Sequence, residues 1–329
     1  MTKAQRVAAA LARRPVDRPP VAFWRHVPDV DHTSNGLAEA MLAFHRRWDL
    51  DLIKVMSSGV YCVEDWGCEV AYKGAVNGAK QCTRHAVQTR ADWARIKALD
   101  VGAGALGREL EAVRLIARGR GDDAPILHTL FSPLTIARKL AGDRVVADLR
   151  ETPEAVTPAL DAITETVERY AVASLDAGAD GIFFATQAAT PEGWPREEHD
   201  RHDLPRVRRI LRAVGGRSRL TMLHVHGDAP YLDAFDAVSA HALNWHDRTT
   251  SIALGPAVRR FETAVAGGLN QHQTLRKETP AAVAAQARDA IAQTGGLGLI
   301  VAPGCVVPLD VPDASLAAVV DAVKSAGGH

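Results

Sequence analysis

The sequence predicts one α/β domain over residues 1–329, folded as a (β/α)8 TIM barrel with an added N-terminal helix and an insertion after the second strand. Two observations predict it. Short apolar runs bounded by turn residues recur along the chain, and longer alanine-rich segments with helical periodicity lie between them, which is the rhythm of parallel strands joined by crossover helices. Eight such runs can be counted, the number that closes a barrel. A doubly wound open sheet has the same local rhythm, so the count decides.

The elements follow in order. Thr2 and Gln5 have capping-box spacing at the start of a short helix, and Arg13 and Arg14 suit its carboxyl end before Pro15. The apolar stretch Val7 to Ala12 is too short for a signal-peptide core or a membrane span, so it reads as a surface helix. Strands are expected at Val21 to His26, Leu50 to Met56, Pro125 to Phe131, Gly181 to Thr186, Leu220 to His226, Ala242 to Asp247, Ala264 to Asn270 and Leu297 to Gly304. Between them the periodicity predicts helices over 36–48, 105–117, 133–140, 153–177, 204–214, 231–241, 254–261, 280–293 and 313–325. Ser132 before Pro133 is an N-cap followed by proline at the first helical position, where its missing N–H costs nothing. The stretch 59–122 is the irregular part, with an antiparallel excursion around "CEVAYKGAVNGAK" and then two helices.

Composition narrows the function classes. Lysine plus arginine equal aspartate plus glutamate at 39 each, so no net positive field recruits nucleic acid, and a small-molecule partner fits better. Cys62, Cys68, Cys82 and Cys305 show no CxxC spacing, which reads as reduced thiols in a cytoplasm. No apolar stretch is long enough for a membrane partner.

Barrel chemistry sits at the carboxyl ends of the strands. There the sequence places Arg25, His26, His128, Gln187, His224, His226, His246, Asp247, Asn270, His272 and Cys305. Taken singly, each has a plain reading as a surface or hydrogen-bonded structural residue, and His32, His45, His85, His199, His202, His241 and the terminal His329 are left with it. His224 and His226 differ because strand side chains alternate, so both rings point to the same side, into the mouth. Two imidazoles buried together each need donors and acceptors, and a divalent metal resolves the cost by taking one nitrogen from each. Cys305, just past the last strand, supplies a third ligand and leaves a zinc ion one open position, which suits catalysis. A half-buried free cysteine after a Pro-Gly turn is the alternative.

The ordered set "RVAAALARRPVDRPPV", "FSPLTIARKLAG", "SLDAGADGIFF", "HVHGD", "NWHDRT", "GGLNQHQTL" and "APGCVVPLDVP" resembles the uroporphyrinogen decarboxylase superfamily over nearly the whole chain. That resemblance implies a single TIM barrel and one of two chemistries: cofactor-free decarboxylation of porphyrinogens, or zinc-dependent methyl transfer from a corrinoid or related donor to a thiol. The decarboxylase pattern has two arginines after the first strand and an aspartate after the second. Arg25 matches the first arginine, but the second falls near Asp29, and Ser58 stands where the aspartate is expected. An octa-acid substrate also needs many cations, and the mouth reads as histidine-rich and arginine-poor.

The methyltransferase pattern is His-x-Cys after the fifth strand and Cys after the eighth. His224 and Cys305 match it, and His226 replaces the middle cysteine, which makes iron, manganese or copper more plausible than in the family. Asp228 or Asp247 could add a carboxylate ligand. The resulting expectation is a zinc-dependent methyl or alkyl transferase in which His224, His226 and Cys305 hold the metal and the substrate thiol fills the open position. The methyl group comes from a corrinoid on a separate protein. His246, Asp247 and His272 are the expected catalytic residues, and Arg25, His26, His128, Gln187 and Asn270 the substrate-binding ones. The rival is a lyase or metal-assisted hydrolase in which His246 and Asp247 form a proton-transfer pair. A metallochaperone or ligand-binding barrel is a third reading, and a homodimer is the oligomer the resemblance implies.

Overall fold

Pro19 and Pro20 offer no N–H, and Val21 donates its own to the Asp51 carboxylate at 2.8 Å, so the first apolar run cannot begin a strand ladder. It still closes the barrel. Ala22 N–H donates to the Val301 carbonyl, Val301 N–H to Pro20, and Asp51 N–H to Val21, so this extended segment is bonded on both sides although only Val21 forms a β-bridge. The strand expected over Val21 to His26 is therefore corrected to a bridge. The structure is a computed structural model and describes residues 1–236 and 238–327; His329 lies outside them.

The remaining barrel strands form one parallel seven-stranded sheet. They are β1 (Ile53–Val55), β4 (Ile126–Phe131), β5 (Gly181–Thr186), β6 (Leu220–Val225), β7 (Ala242–Asn244), β8 (Ala264–Leu269) and β9 (Leu299–Pro303), in that order. β2 (Glu69–Tyr72) and β3 (Lys80–Arg84) pair antiparallel within the insertion, where the excursion was expected. The insertion continues through a 3-10 turn at Arg90–Arg95 and a helix at Gly104–Gly119.

One expected helix is corrected. Of the helix expected over 231–241, the described residues form one 3-10 turn, Leu232–Phe235, because His241 N–H already donates to Thr221 and leads the chain into β7. The N-terminal helix, Lys3–Leu11, has its Thr2–Gln5 capping box and lies on the surface, with Gln5 and Ala8 exposed. It buries Arg6, Val7, Ala9 and Ala10, and its apolar side faces Pro125 and Leu220 at the amino ends of β4 and β6. Asp51, fully buried, holds it there by accepting from Arg6 Nη1 at 2.7 Å and Arg18 Nη1 at 2.6 Å. Arg13 does not serve its own helix: its guanidinium donates to the Val258 and Phe261 carbonyls at the end of the helix Leu254–Arg260. With the bottom covered in this way, the open end is the one where the strands terminate.

Candidate active site

His224 lies near the end of β6, His226 just beyond it, and Cys305 two residues after β9 ends at Pro303. Their ligand-capable atoms all lie within 4.8 Å of one another, and Cys305 Sγ is 3.9 Å from His226 Nδ1. Nitrogen and sulfur ligands about 2.0–2.3 Å from a common ion stand roughly 3.3–3.8 Å apart, so rotamer adjustments are enough to close the site. Burial holds the His224 imidazole well below its ordinary pKa, lowers that of His226, and raises that of the Cys305 thiol. Two neutral imidazoles with lone pairs to offer, beside a thiol whose charged form burial disfavours, fit a divalent cation that supplies the missing positive charge.

The group has polar support. His224 Nδ1 is 2.6 Å from Asn244 Oδ1, and the Phe183 ring stacks on His224 with centroids 5.4 Å apart. His246 Nε2 is 3.3 Å from His226 Nδ1, while His246 Nδ1 accepts from Gln271 at 3.3 Å. Burial, followed by the charge His226 would carry, lowers the His246 pKa to about 4, so this ring is also neutral at pH 7.

A cavity of about 250 Å3 opens beside these three side chains, and His26 and Gln187 line it as expected. Its walls include Lys54, Lys80 and Lys139 but no carboxylate side chain. Lys80 is paired with the buried Asp31. Lys54 has no carboxylate partner among the described residues; its ammonium lies 4.2 Å from the Phe183 ring centroid and 2.8 Å from Met56 Sδ, and burial pushes it down to about 7. Burial also lowers Lys139, which sits 4.9 Å above Phe131. The same cations, after burial, hold His26 at about 3. The turn between β2 and β3 contributes Asn77 and Ala79 to the wall, and the first residue of β3 contributes Lys80. Gly78, at φ +76, permits this approach, because a Cβ there would lie 2.8 Å from that of His26.

Other expected residues lie elsewhere. Arg25 turns away from the cavity and donates to the Leu309 carbonyl. His128 is fully buried on the outer face of β4, 2.8 Å from Ser174 Oγ and packed on Tyr170, while its neighbour Thr129 faces the cavity. Asp247 is buried and accepts from Gly268 N–H at 3.0 Å; burial raises its carboxyl to about 6, and it makes no hydrogen bond to His246, so the expected proton-transfer pair does not form. Asp228 is exposed, and among the described residues the group that could hold a metal contains neither it nor Asp247. Asn270 caps its own loop by accepting from the N–H groups of His272 and Gln273. The exposed His272 shares a small side pocket with His246 and Gly304.

Lys54, Lys139 and Asn244 are the residues the sequence reading missed. The arginine-poor expectation holds for the cavity wall, but lysines supply the charge. The signal for Lys54 was its alternation with Met56 inside an otherwise apolar run.

Comparison with known proteins supplies the remaining context. A sequence model of the family described as Uroporphyrinogen decarboxylase (URO-D) matches residues 2–326. A "Methylcobamide:CoM methyltransferase MtbA" from Methanosarcina acetivorans is 24% identical, with 98% of each chain covered. A "Uroporphyrinogen decarboxylase" from Burkholderia pseudomallei is 28% identical over 85% of this chain and 83% of its own. The solved structure of a methyltransferase from Methanosarcina mazei superposes with a TM-score of 0.84 at 24% identity, covering 99% of both chains, and has the same fold.

Proposed function

The chain belongs to the uroporphyrinogen decarboxylase family, and within it we propose that this protein is a metal-dependent methyltransferase that moves a methyl group from a corrinoid to a thiol. One observation carries the reading: His224 and His226 at the end of β6 and Cys305, 79 residues further along the chain, converge within 4.8 Å at the wall of an acid-free cavity. Relatives named as methylcobamide-dependent methyltransferases, matching over 98% of the chain, support the same branch. The decarboxylase alternative finds less support. Ser58 and Asp29 replace the polar residues expected of that branch, and Arg25 faces away from the cavity.

A zinc ion held by His224, His226 and Cys305 would supply Lewis acidity that lowers the pKa of a thiol brought to its open position. The chain's own residues do the rest. Trp24 and Phe183 form an apolar wall that limits water around the reacting sulfur, and Lys54 and Lys139 offer positive charge to an acidic group on the same substrate. Gln187 at the rim and His26 deeper in are placed to orient it. A cavity of about 250 Å3 suits a small thiol and an incoming methyl group. A corrinoid macrocycle is larger, which supports a donor presented at the mouth by a separate protein. Four free cysteines fit a reducing compartment, the cytoplasm.

The test is incubation of zinc-loaded protein with methylcobalamin and 2-mercaptoethanesulfonate or 3-mercaptopropionate. The expected result is a methyl thioether formed in step with loss of methylcobalamin absorbance. No thioether with any thiol, combined with decarboxylation of a carboxylated tetrapyrrole, would replace this reading with the decarboxylase one.

A further inference from the structure

Asn244 is fully buried at the end of β7, and the parallel register sets it beside His224 on β6. Its amide nitrogen donates to two backbone carbonyls, Ala266 on β8 at 2.8 Å and Pro303 on β9 at 3.1 Å. Both amide hydrogens are thereby engaged, and a flipped amide would put an oxygen against two oxygens, so the orientation has only one satisfied form. Oδ1 is then an acceptor, and the group that meets it at 2.6 Å, His224 Nδ1, must carry the proton. A neutral imidazole has one N–H, which leaves the His224 Nε2 lone pair bare on the cavity side.

The same side chain also holds the segment that leads to the third ligand, because Pro303, whose carbonyl it binds, lies two residues before Cys305. We propose that Asn244 is the positioning residue of the metal centre: it fixes the tautomer that frees His224 Nε2 and ties β7 to the strand end that presents Cys305. The amide is neutral, so it orients His224 without adding the negative charge that a carboxylate in the same place would bring. With one thiolate among its three ligands, a divalent site so supported keeps a net positive charge.

The inference rests on the metal reading above, but its first test needs no metal. Nitrogen-15 NMR of metal-free protein labelled at histidine, with His224 assigned by comparison with His224→Gln, reports which ring nitrogen bears hydrogen. The expected result is His224 protonated on Nδ1 at neutral pH; a hydrogen on Nε2 would overturn the proposal without touching the assignment of the ligands.

The second test is zinc affinity measured by chelator competition in Asn244→Leu and Asn244→Asp. The leucine variant is expected to lose roughly 10- to 100-fold in affinity, and the aspartate variant, which still accepts from Nδ1, to recover part of that loss. Unchanged affinity in a folded leucine variant would contradict the role. Zinc that fails to bind even the unmodified protein would refute the metal reading instead, and the tautomer result would still stand or fall alone.

Discussion

Cys305 Sγ lies 3.9 Å from His226 Nδ1 across 79 residues of chain, a proximity that only barrel closure provides. β6 ends at Val225 and β9 at Pro303, three positions apart in sheet order, so curvature has to bring their loops to one mouth. The site is a property of the ring and not of any local segment.

The acid-free cavity predicts a charge preference. Lys54→Met keeps the apolar contact with Phe183 and removes the cation without a carboxylate partner. KM for 2-mercaptoethanesulfonate is expected to rise about tenfold or more, while that for neutral 2-mercaptoethanol changes little. Steady-state kinetics with both thiols checks this; an equal rise for both would point to lost packing.

His128, although expected at the mouth, belongs to the outer face of β4. His128→Phe removes its hydrogen bond with Ser174 and should cost about 1–3 kcal/mol in urea unfolding. Zinc content and methyl transfer are expected to stay at the unmodified level, and loss of either in folded protein would place His128 back in the site.

The buried Asp51 carboxylate is predicted to be the main ionic tie at the bottom of the barrel. Asp51→Ala leaves Arg6 and Arg18 without their shared acceptor and frees the Val21 N–H, and should destabilise by about 3–5 kcal/mol. Denaturant unfolding measures it. A change below about 1 kcal/mol would mean the guanidiniums find other partners.

Glu109 predicts a pH dependence of stability. Burial raises its carboxyl from the ordinary 4.5 to about 7, opposed by Ser57 and Arg108, and its Oε2 has no partner among the described residues. The folded state therefore holds this proton more tightly than the unfolded chain does. Its contribution is full below pH 4.5 and is lost as pH rises through about 7. Melting temperature measured from pH 5 to 8 should fall less steeply in Glu109→Gln than in the unmodified protein.

Much of this arrangement was legible from alternation. His224 and His226 stand two apart on a strand end, and Cys305 ends the last apolar run, so period-two geometry and barrel closure were enough to bring them together. The same rule failed where parity had to be guessed. His128 and Thr129 are adjacent, only one can face the cavity, and the chemically suggestive residue was the wrong one. Asp247 lies beyond the end of β7, where the chain has left the strand and alternation no longer applies. Lys54 was hidden for the opposite reason: a lysine inside an apolar run reads as an interruption of the core, whereas here the fold buries it against Phe183 and Met56. Asn244 gives no sign in the sequence, since its role exists only through carbonyls on two other strands.

The most direct test of the account is the metal content of the purified protein and of Cys305→Ser, read by elemental analysis alongside a far-ultraviolet check of folding. The expected result is close to one equivalent of zinc per chain in the unmodified protein and only a small fraction of that in Cys305→Ser. A folded protein with no bound divalent metal and none taken up from zinc-supplemented buffer would contradict it.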